Sequence, residues 1–104
     1  MANIEITIEE KKYILEFNRR TIIRMEEEGL LEQLQKGAKL EAIDKVVYYA
    51  CLKNQPNISM EEVKSIVDSV SLNELGNFVQ AVGELLNKSI DALENKGNAH
   101  WEVK

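Results

Sequence analysis

The sequence contains few of the residues that most often act in catalysis, disulfide formation or metal binding. It contains one cysteine, Cys51, one histidine, His100, and one proline, Pro56, among 104 residues. A single cysteine cannot form an intrachain disulfide, and one histidine with one cysteine are too few for a zinc site. The five glycines stand apart, so the chain has no glycine-rich phosphate loop. We therefore expect neither catalysis nor a bound cofactor or metal, and we expect Cys51 to be a small buried hydrophobe.

Long apolar runs and an excess of positive charge are also lacking. No apolar stretch approaches the roughly 20 residues of a membrane-spanning helix, and no basic segment followed by an apolar run predicts a signal peptide. The formal net charge of −5 has the sign of nucleic-acid phosphates and anionic membranes, which disfavours both as partners. These absences predict a cytoplasmic protein that contacts neither nucleic acid nor a membrane.

What remains is the composition of one small globular domain. Hydrophobic residues make up 44% of the chain and charged residues 30%, which is a globular profile at a length that favours one domain. We predict a single α-rich domain over residues 1–97, followed by a C-terminal tail over 98–104.

The longest regular pattern covers residues 72–96. Ser71 and Glu74 form a capping-box pattern at its start, and Gly97 stands where a left-handed residue would end a helix. The pattern predicts a helix of about 25 residues, roughly 37 Å long. Its apolar residues recur at helical spacing and form one wide stripe, made of Leu72, Leu75, Phe78, Val79, Val82, Leu85, Leu86, Ile90 and Leu93. We expect the rest of the chain to cover this stripe.

The N-terminal part of the chain predicts a β-hairpin. Apolar residues alternate with polar ones in two short runs, Ile4/Ile6/Ile8 and Tyr13/Leu15/Phe17. The polar segment 9–12 joins the runs without the Asn-Gly chemistry of a common tight turn. Two strands alone are marginally stable in water, so we expect their apolar face to pack on helices or on another chain.

The segment between the hairpin and the long helix predicts several shorter helices. Helical patterns cover 19–28 and 39–53, with a short helical turn over 30–36 between them. Ser59 and Glu62 repeat the capping-box pattern at the start of a further helix. The sequence thus predicts an α+β domain, mainly α, in which an N-terminal β-hairpin precedes about four helices and the last helix is the longest.

Three arginines form a local basic patch in the first helix, for which Asn18 is a suitable N-cap. These are Arg19, Arg20 and Arg24. The patch either docks an acidic partner or a phosphate, or pairs with the acidic side chains of the chain itself. We favour the second interpretation.

Two further features indicate contact with another backbone or protein. Gly76 and Gly83 lie seven residues apart on one edge of the long helix, and each costs about 1 kcal/mol relative to alanine in a helix. Their spacing indicates close approach by another backbone, either internal or from a partner. Trp101 in the tail either docks on the body of the domain, which we favour, or binds a partner.

The segment 13–21 reads Tyr-Ile-Leu-Glu-Phe-Asn-Arg-Arg-Thr and is followed by Met25-Glu26 and Gly29. In this segment most specifically, the chain resembles the tail assembly chaperones of long-tailed, siphovirus-type phages and prophages of Gram-positive bacteria. The aromatic pair Tyr48-Tyr49, an Asn-Pro-like break, a Ser-capped helix and the ending with Trp101-Glu102 extend the resemblance to nearly the whole chain.

The resemblance implies a non-enzymatic role in phage assembly. Proteins of this family bind and solubilise the tape-measure protein, help to recruit tail-tube subunits, and leave before the virion is complete. Some are also made as a longer form by translational frameshifting. The resemblance therefore implies a protein of the bacterial host cytoplasm that is absent from the mature virion.

The candidate interaction residues come from the patterns above and not from the family. They are Phe17, Arg19, Arg20, Arg24, Gly76, Gly83 and Trp101. An exposed edge of the hairpin could also join copies of the chain into a homo-oligomer by strand addition. Two alternatives belong to other classes: a structural tail or head-completion protein retained in the virion, and a small regulatory or nucleic-acid-binding protein that uses the arginines.

Overall fold

A computed structural model describes residues 2–37, 40–95 and 99–104, with the backbone alone for Leu40 and Asn95. Seven elements follow one another in these ranges: β1 (Ile4–Ile8), β2 (Lys11–Leu15), α1 (Arg19–Glu27), α2 (Leu30–Gln35), α3 (Leu40–Leu52), α4 (Met60–Asp68) and α5 (Leu72–Asn95). The predicted fold class is confirmed, because a two-stranded hairpin precedes the helices and the last helix is the longest. The stop predicted at Gly97, and the boundary between domain and tail, lie outside the described residues.

The hairpin is tighter than its sequence suggested. The strands are antiparallel, with the register Ile4↔Leu15, Glu5↔Ile14, Ile6↔Tyr13, Thr7↔Lys12 and Ile8↔Lys11. Only Glu9 and Glu10 form the turn, so the second strand begins at Lys11 and ends before Phe17. Glu9 has φ +58°, a left-handed conformation that a side chain with a Cβ rarely adopts.

One side chain fixes the hairpin to the end of α3. The Ile14 N–H donates to Gln55 Oε1 at 2.9 Å, and Gln55 Nε2 donates to the carbonyl oxygens of Ile14 (3.0 Å) and Cys51 (2.8 Å). The Glu16 N–H donates to the Ala50 carbonyl at 2.8 Å. The outer edge of β2 is therefore closed by the chain itself.

Side-chain caps set the starts of two helices. Asn18 and Thr21 form a complete capping box at α1, since each side chain accepts the backbone N–H of the other. At α4 the Ser59 hydroxyl accepts the Glu62 N–H at 3.1 Å. The second bond of the predicted capping box would run from the Ser59 N–H to the Glu62 carboxylate. That carboxylate instead accepts hydrogen bonds from side chains of the hairpin. Gly29 ends α1 with φ +73°, as helix-terminating glycines commonly do.

The core lies between the hairpin and the helices. Apolar side chains from β2, α1, α2, α3, α4 and the middle of α5 form one buried cluster there. The buried members of this cluster include Tyr13, Leu15, Ile22, Met25, Leu30, Val46, Val47, Tyr49, Cys51, Val63, Ile66, Val82, Leu85 and Leu86. The apolar face of the hairpin thus packs on helices, one of the two expected solutions.

Helix α5 is covered only at its centre. Val82, Leu85 and Leu86 are buried, whereas Leu72 is 88% exposed and Leu93 is 46% exposed. The expectation that the chain covers the whole stripe is therefore wrong at both ends. The reason is length: α5 has 24 residues and α3 has 13, so at 1.5 Å per residue α3 is about 16 Å too short to cover it.

Candidate protein-binding surface

An apolar groove, called here the α5 groove, separates α5 from α2 and α3. Its volume is about 420 Å³. The α5 wall consists of Phe78, Val79, Val82, Gly83, Leu86, Asn87 and Ile90. The opposite wall consists of Leu31, Leu34, Gln35, Ile43, Val46 and Val47. Gln35 and Asn87 supply its polar side chains, so the surface suits apolar side chains of a partner better than a polar reactant.

The groove continues into the uncovered parts of the α5 stripe. Its lining on α5 runs from Phe78 to Ile90, a length of about 18 Å at 1.5 Å per residue. Leu75 is half-buried and Leu72 is exposed beyond one end, and Leu93 is exposed beyond the other. A continuous apolar surface with a concave centre is typical of surfaces that bind an amphipathic helix.

The two glycines of α5 are not in close contact with another backbone. A Cβ added to Gly76 or Gly83 would meet no atom within 4 Å outside its immediate chain neighbours. Internal close approach, one of the two explanations for their spacing, is therefore wrong within the described residues. Gly83 lines the α5 groove, whereas Gly76 is exposed and is not among the groove-lining residues.

Trp101 lies on the surface. Its exposed fraction is 77%, and that of Val103 is 89%. Between them Glu102 pairs with Lys104 at 3.0 Å. The favoured expectation that Trp101 docks on the body of the domain is wrong, and a large apolar side chain remains open to a partner.

The basic patch is also exposed. Arg19 and Arg20 project from the first turn of α1, and no ion pair within the described ranges involves either of them or Arg24. Arg24 instead places its guanidinium 5.2 Å from the centre of the Tyr49 ring, within cation–π range. The favoured pairing of the arginines with the chain's own carboxylates is therefore not what the described residues show.

Tyr49 also donates a hydrogen bond to Glu28 at 2.5 Å. Burial, together with this bond, raises the pKa of Tyr49 to about 12.

Phe17 is placed in the core. Its exposed fraction is 4%, so in this conformation it stabilises the domain and presents no surface to a partner. The alternation of apolar residues predicted a strand through Phe17. The strand ends at Leu15, but the Phe17 side chain still lies on the buried side.

The sequence patterns did not reveal the ionic contacts that hold the hairpin. Glu62 accepts hydrogen bonds from Lys11 Nζ (2.8 Å) and from the Tyr13 hydroxyl (2.7 Å), and these bonds hold the pKa of Glu62 below its usual value. Glu16 is buried and accepts a hydrogen bond from Lys53, which lowers the pKa of Glu16. No local pattern could have identified these pairs, because their partners are 37 to 51 positions apart.

Two features bear on chemical reactivity in the described part of the chain: the placement of possible metal ligands and the single cysteine. No three His, Cys, Asp or Glu side chains converge there as metal ligands would. Cys51 is buried as expected, and burial raises the pKa of its thiol to about 11, which makes it a poor nucleophile. None of the described helices has the length and apolarity needed to cross a membrane.

Comparison with known families places the chain in one of them. The protein belongs to the family described as a domain of unknown function, DUF5055, which matches residues 1–104. Neither the curated proteins nor the solved structures give a match to this chain.

Proposed function

We propose that the protein is a non-enzymatic tail assembly chaperone that binds the tape-measure protein through the α5 groove. The observation that carries the proposal is the continuous apolar surface formed by the groove and the uncovered ends of α5. The resemblance of residues 13–29 to tail assembly chaperones supports the choice of client.

The chemistry of the surface fits a long helical client. One apolar face of an amphipathic client helix lies in the groove and continues over Leu72 or Leu93, while the polar face of the client stays in water. The net charge of −5 keeps the resulting complex soluble by repulsion between loaded copies. The exposed Trp101 and the basic patch Arg19/Arg20/Arg24 lie outside the groove and are available for tail-tube subunits.

This role sets where the protein acts. It works in the cytoplasm of the bacterial host, recruits tail-tube protein to the coated tape-measure protein, and departs before the virion is complete. Retention in the purified virion would instead favour a structural tail or head-completion protein.

The test is co-expression of the chain with the tape-measure protein of a phage or prophage that encodes it. Pull-down and size-exclusion chromatography then measure how much client is soluble and how many copies of the chain co-elute. We expect a soluble complex with several copies per client. An insoluble client, with this chain eluting alone, overturns the proposal.

Two matched substitutions on α5 test the groove itself. Gly83→Leu places a side chain in the groove, whereas Gly76→Leu places one on the same edge of the helix outside it. Both changes raise helix propensity equally, so both variants should fold. We expect Gly83→Leu to reduce soluble client several-fold and Gly76→Leu to leave it near the wild-type level. Equal yields from the two variants would exclude the groove as the binding site.

A further inference from the structure

The two outer edges of the hairpin differ. Gln55 and Ala50 occupy the edge of β2 through the backbone groups of Ile14 and Glu16. The described sheet contains only β1 and β2, and no backbone hydrogen bond from elsewhere in the described residues reaches β1. One edge is therefore closed by the chain and the other is open.

The register identifies the open backbone groups on β1. Because Ile14 bonds outward to Gln55, its cross-strand neighbour Glu5 forms a non-hydrogen-bonded pair with it. Hydrogen-bonded and non-hydrogen-bonded pairs alternate along an antiparallel ladder. Glu5 and Thr7 therefore direct both their N–H and their C=O groups away from β2.

Glu5 is the one charged residue of β1, which otherwise lacks the usual protection of an exposed edge against strand pairing. Exposed edges are commonly blocked by proline, lysine or a bulge, and the sequence Ile-Glu-Ile-Thr-Ile of β1 contains neither proline nor lysine. Its ladder with β2 is continuous from Ile4 to Ile8. The three isoleucines are only half-buried, so the apolar face of the hairpin is incomplete on this side.

We propose that β1 pairs antiparallel with β1 of a second copy, about a twofold axis at Ile6, to form a four-stranded sheet. In this register Glu5 of one copy and Thr7 of the other exchange two hydrogen bonds, and the symmetric pair exchanges two more. Ile6 faces Ile6 of the second copy, and Ile4 faces Ile8. The half-buried isoleucines then become the centre of a continuous apolar face.

Self-pairing is favoured over an unrelated strand by the fit of β1 to itself. Centring the pair on Ile6 places Glu5 opposite a neutral threonine. Moving the axis from Ile6 to Glu5 would place Glu5 opposite Glu5 of the second copy, and moving it to Thr7 would place Glu5 opposite Glu9. Like charges directly opposite each other destabilise a sheet. A shift of one strand by a single residue would bring side chains of opposite faces together and place an isoleucine opposite Glu5. The register at Ile6 is thus the one that matches both hydrogen bonding and side chains.

Substitution of Thr7 tests the hydrogen bonds without disturbing the hairpin. Thr7→Pro removes an N–H that points away from β2, so the internal ladder is kept, and proline is tolerated at such edge positions. Sedimentation equilibrium of the full chain should show a wild-type dimer, with association weakened about tenfold or more in Thr7→Pro, since two hydrogen bonds are lost. Thr7→Val keeps the N–H and is the matched control. A wild-type chain that is monomeric at high micromolar concentration, or a dimer equally stable in both variants, overturns the proposal.

A cross-linking pair tests the register and does not depend on the stability of the proline variant. Ile6→Cys brings two thiols together across the axis, where the Cα atoms of a non-hydrogen-bonded pair lie about 4.5 Å apart, within disulfide range. Ile4→Cys faces Ile8 and should not cross-link, while the native Cys51 is buried. We expect a covalent dimer from Ile6→Cys alone under mild oxidation. Its absence, or equal cross-linking of the two variants, contradicts the register whether or not the client-binding proposal holds.

Discussion

Glu16 and Lys53 join the end of the hairpin to the end of α3 through an ion pair in which the carboxylate is buried and the ammonium group reaches the surface. The hydrogen bond from Lys53 lowers the pKa of Glu16 from its ordinary value of 4.5, against the opposing effect of burial. A carboxyl group whose pKa is lower in the folded state stabilises that state above its unfolded pKa. The contribution is lost as the pH falls through the lowered value.

We therefore expect the free energy of unfolding to decline as the pH falls below about 4.5, with Glu62 acting in the same direction. Urea unfolding at a series of pH values measures this. Glu16→Gln should cost about 1–2 kcal/mol at neutral pH, because Lys53 is partly exposed and water screens the pair, and it should flatten the acid decline. Glu27→Gln on the exposed surface of α1 is the control and should change stability by less than about 0.5 kcal/mol. The same acid profile in wild type and Glu16→Gln would assign the decline to other groups.

A second prediction concerns Gln55, whose amide satisfies both backbone groups of Ile14. Gln55→Ala leaves these groups without their protein partner and should destabilise the domain by about 1–3 kcal/mol. Chemical denaturation measures the loss. Gln33→Ala, at an exposed position of α2, should be nearly neutral. A Gln55→Ala variant as stable as wild type would mean that water replaces the amide at no cost.

The turn of the hairpin gives a third prediction, because Glu9 adopts φ +58°. Glycine adopts this conformation without the cost of about 1–2 kcal/mol that other residues bear, although its greater freedom in the unfolded chain removes part of the gain. We expect Glu9→Gly to raise the melting temperature and to stabilise the protein by about 0.5–1 kcal/mol. Glu10→Gly, which has no positive φ to relieve, should destabilise it slightly. A reversed order of the two variants would contradict the turn geometry.

The fourth prediction uses Trp101, the single tryptophan of the chain. Because its ring is 77% exposed, its fluorescence should resemble that of a tryptophan in water, be readily quenched by acrylamide, and shift little on unfolding. Binding of a partner over the tail should shift the emission to shorter wavelength and reduce quenching. Emission that is already blue-shifted in the isolated chain would show that the tail docks on the domain.

The sequence was informative where structure is determined locally. Alternation of Ile4, Ile6 and Ile8 identified the hairpin, and the stripe after Ser71 identified α5 nearly to its observed bounds. These signals depend on neighbours a few positions apart, which is the range over which strand and helix periodicity act.

The features that were missed depend on distant packing. The partners of two carboxylates lie far along the chain: Lys53 donates to the buried Glu16, and the Tyr13 hydroxyl donates to Glu62. Phe17 was a candidate contact for a partner, but its side chain is buried in the core. The α5 groove depends on how α2 and α3 pack against α5, and no spacing of residues within one helix encodes that arrangement.

The partial cover of α5 has a consequence for how the helix opens. The buried side chains of its described part cluster at Val82, Leu85 and Leu86, and the stripe is increasingly exposed toward Leu72 and Leu93. Local opening requires less free energy where fewer apolar contacts are broken. In native-state hydrogen exchange, amide protection along α5 is therefore expected to be greatest at the centre and to fall toward both ends. Each end can then unwind and re-form on its own while the middle holds the helix to the domain.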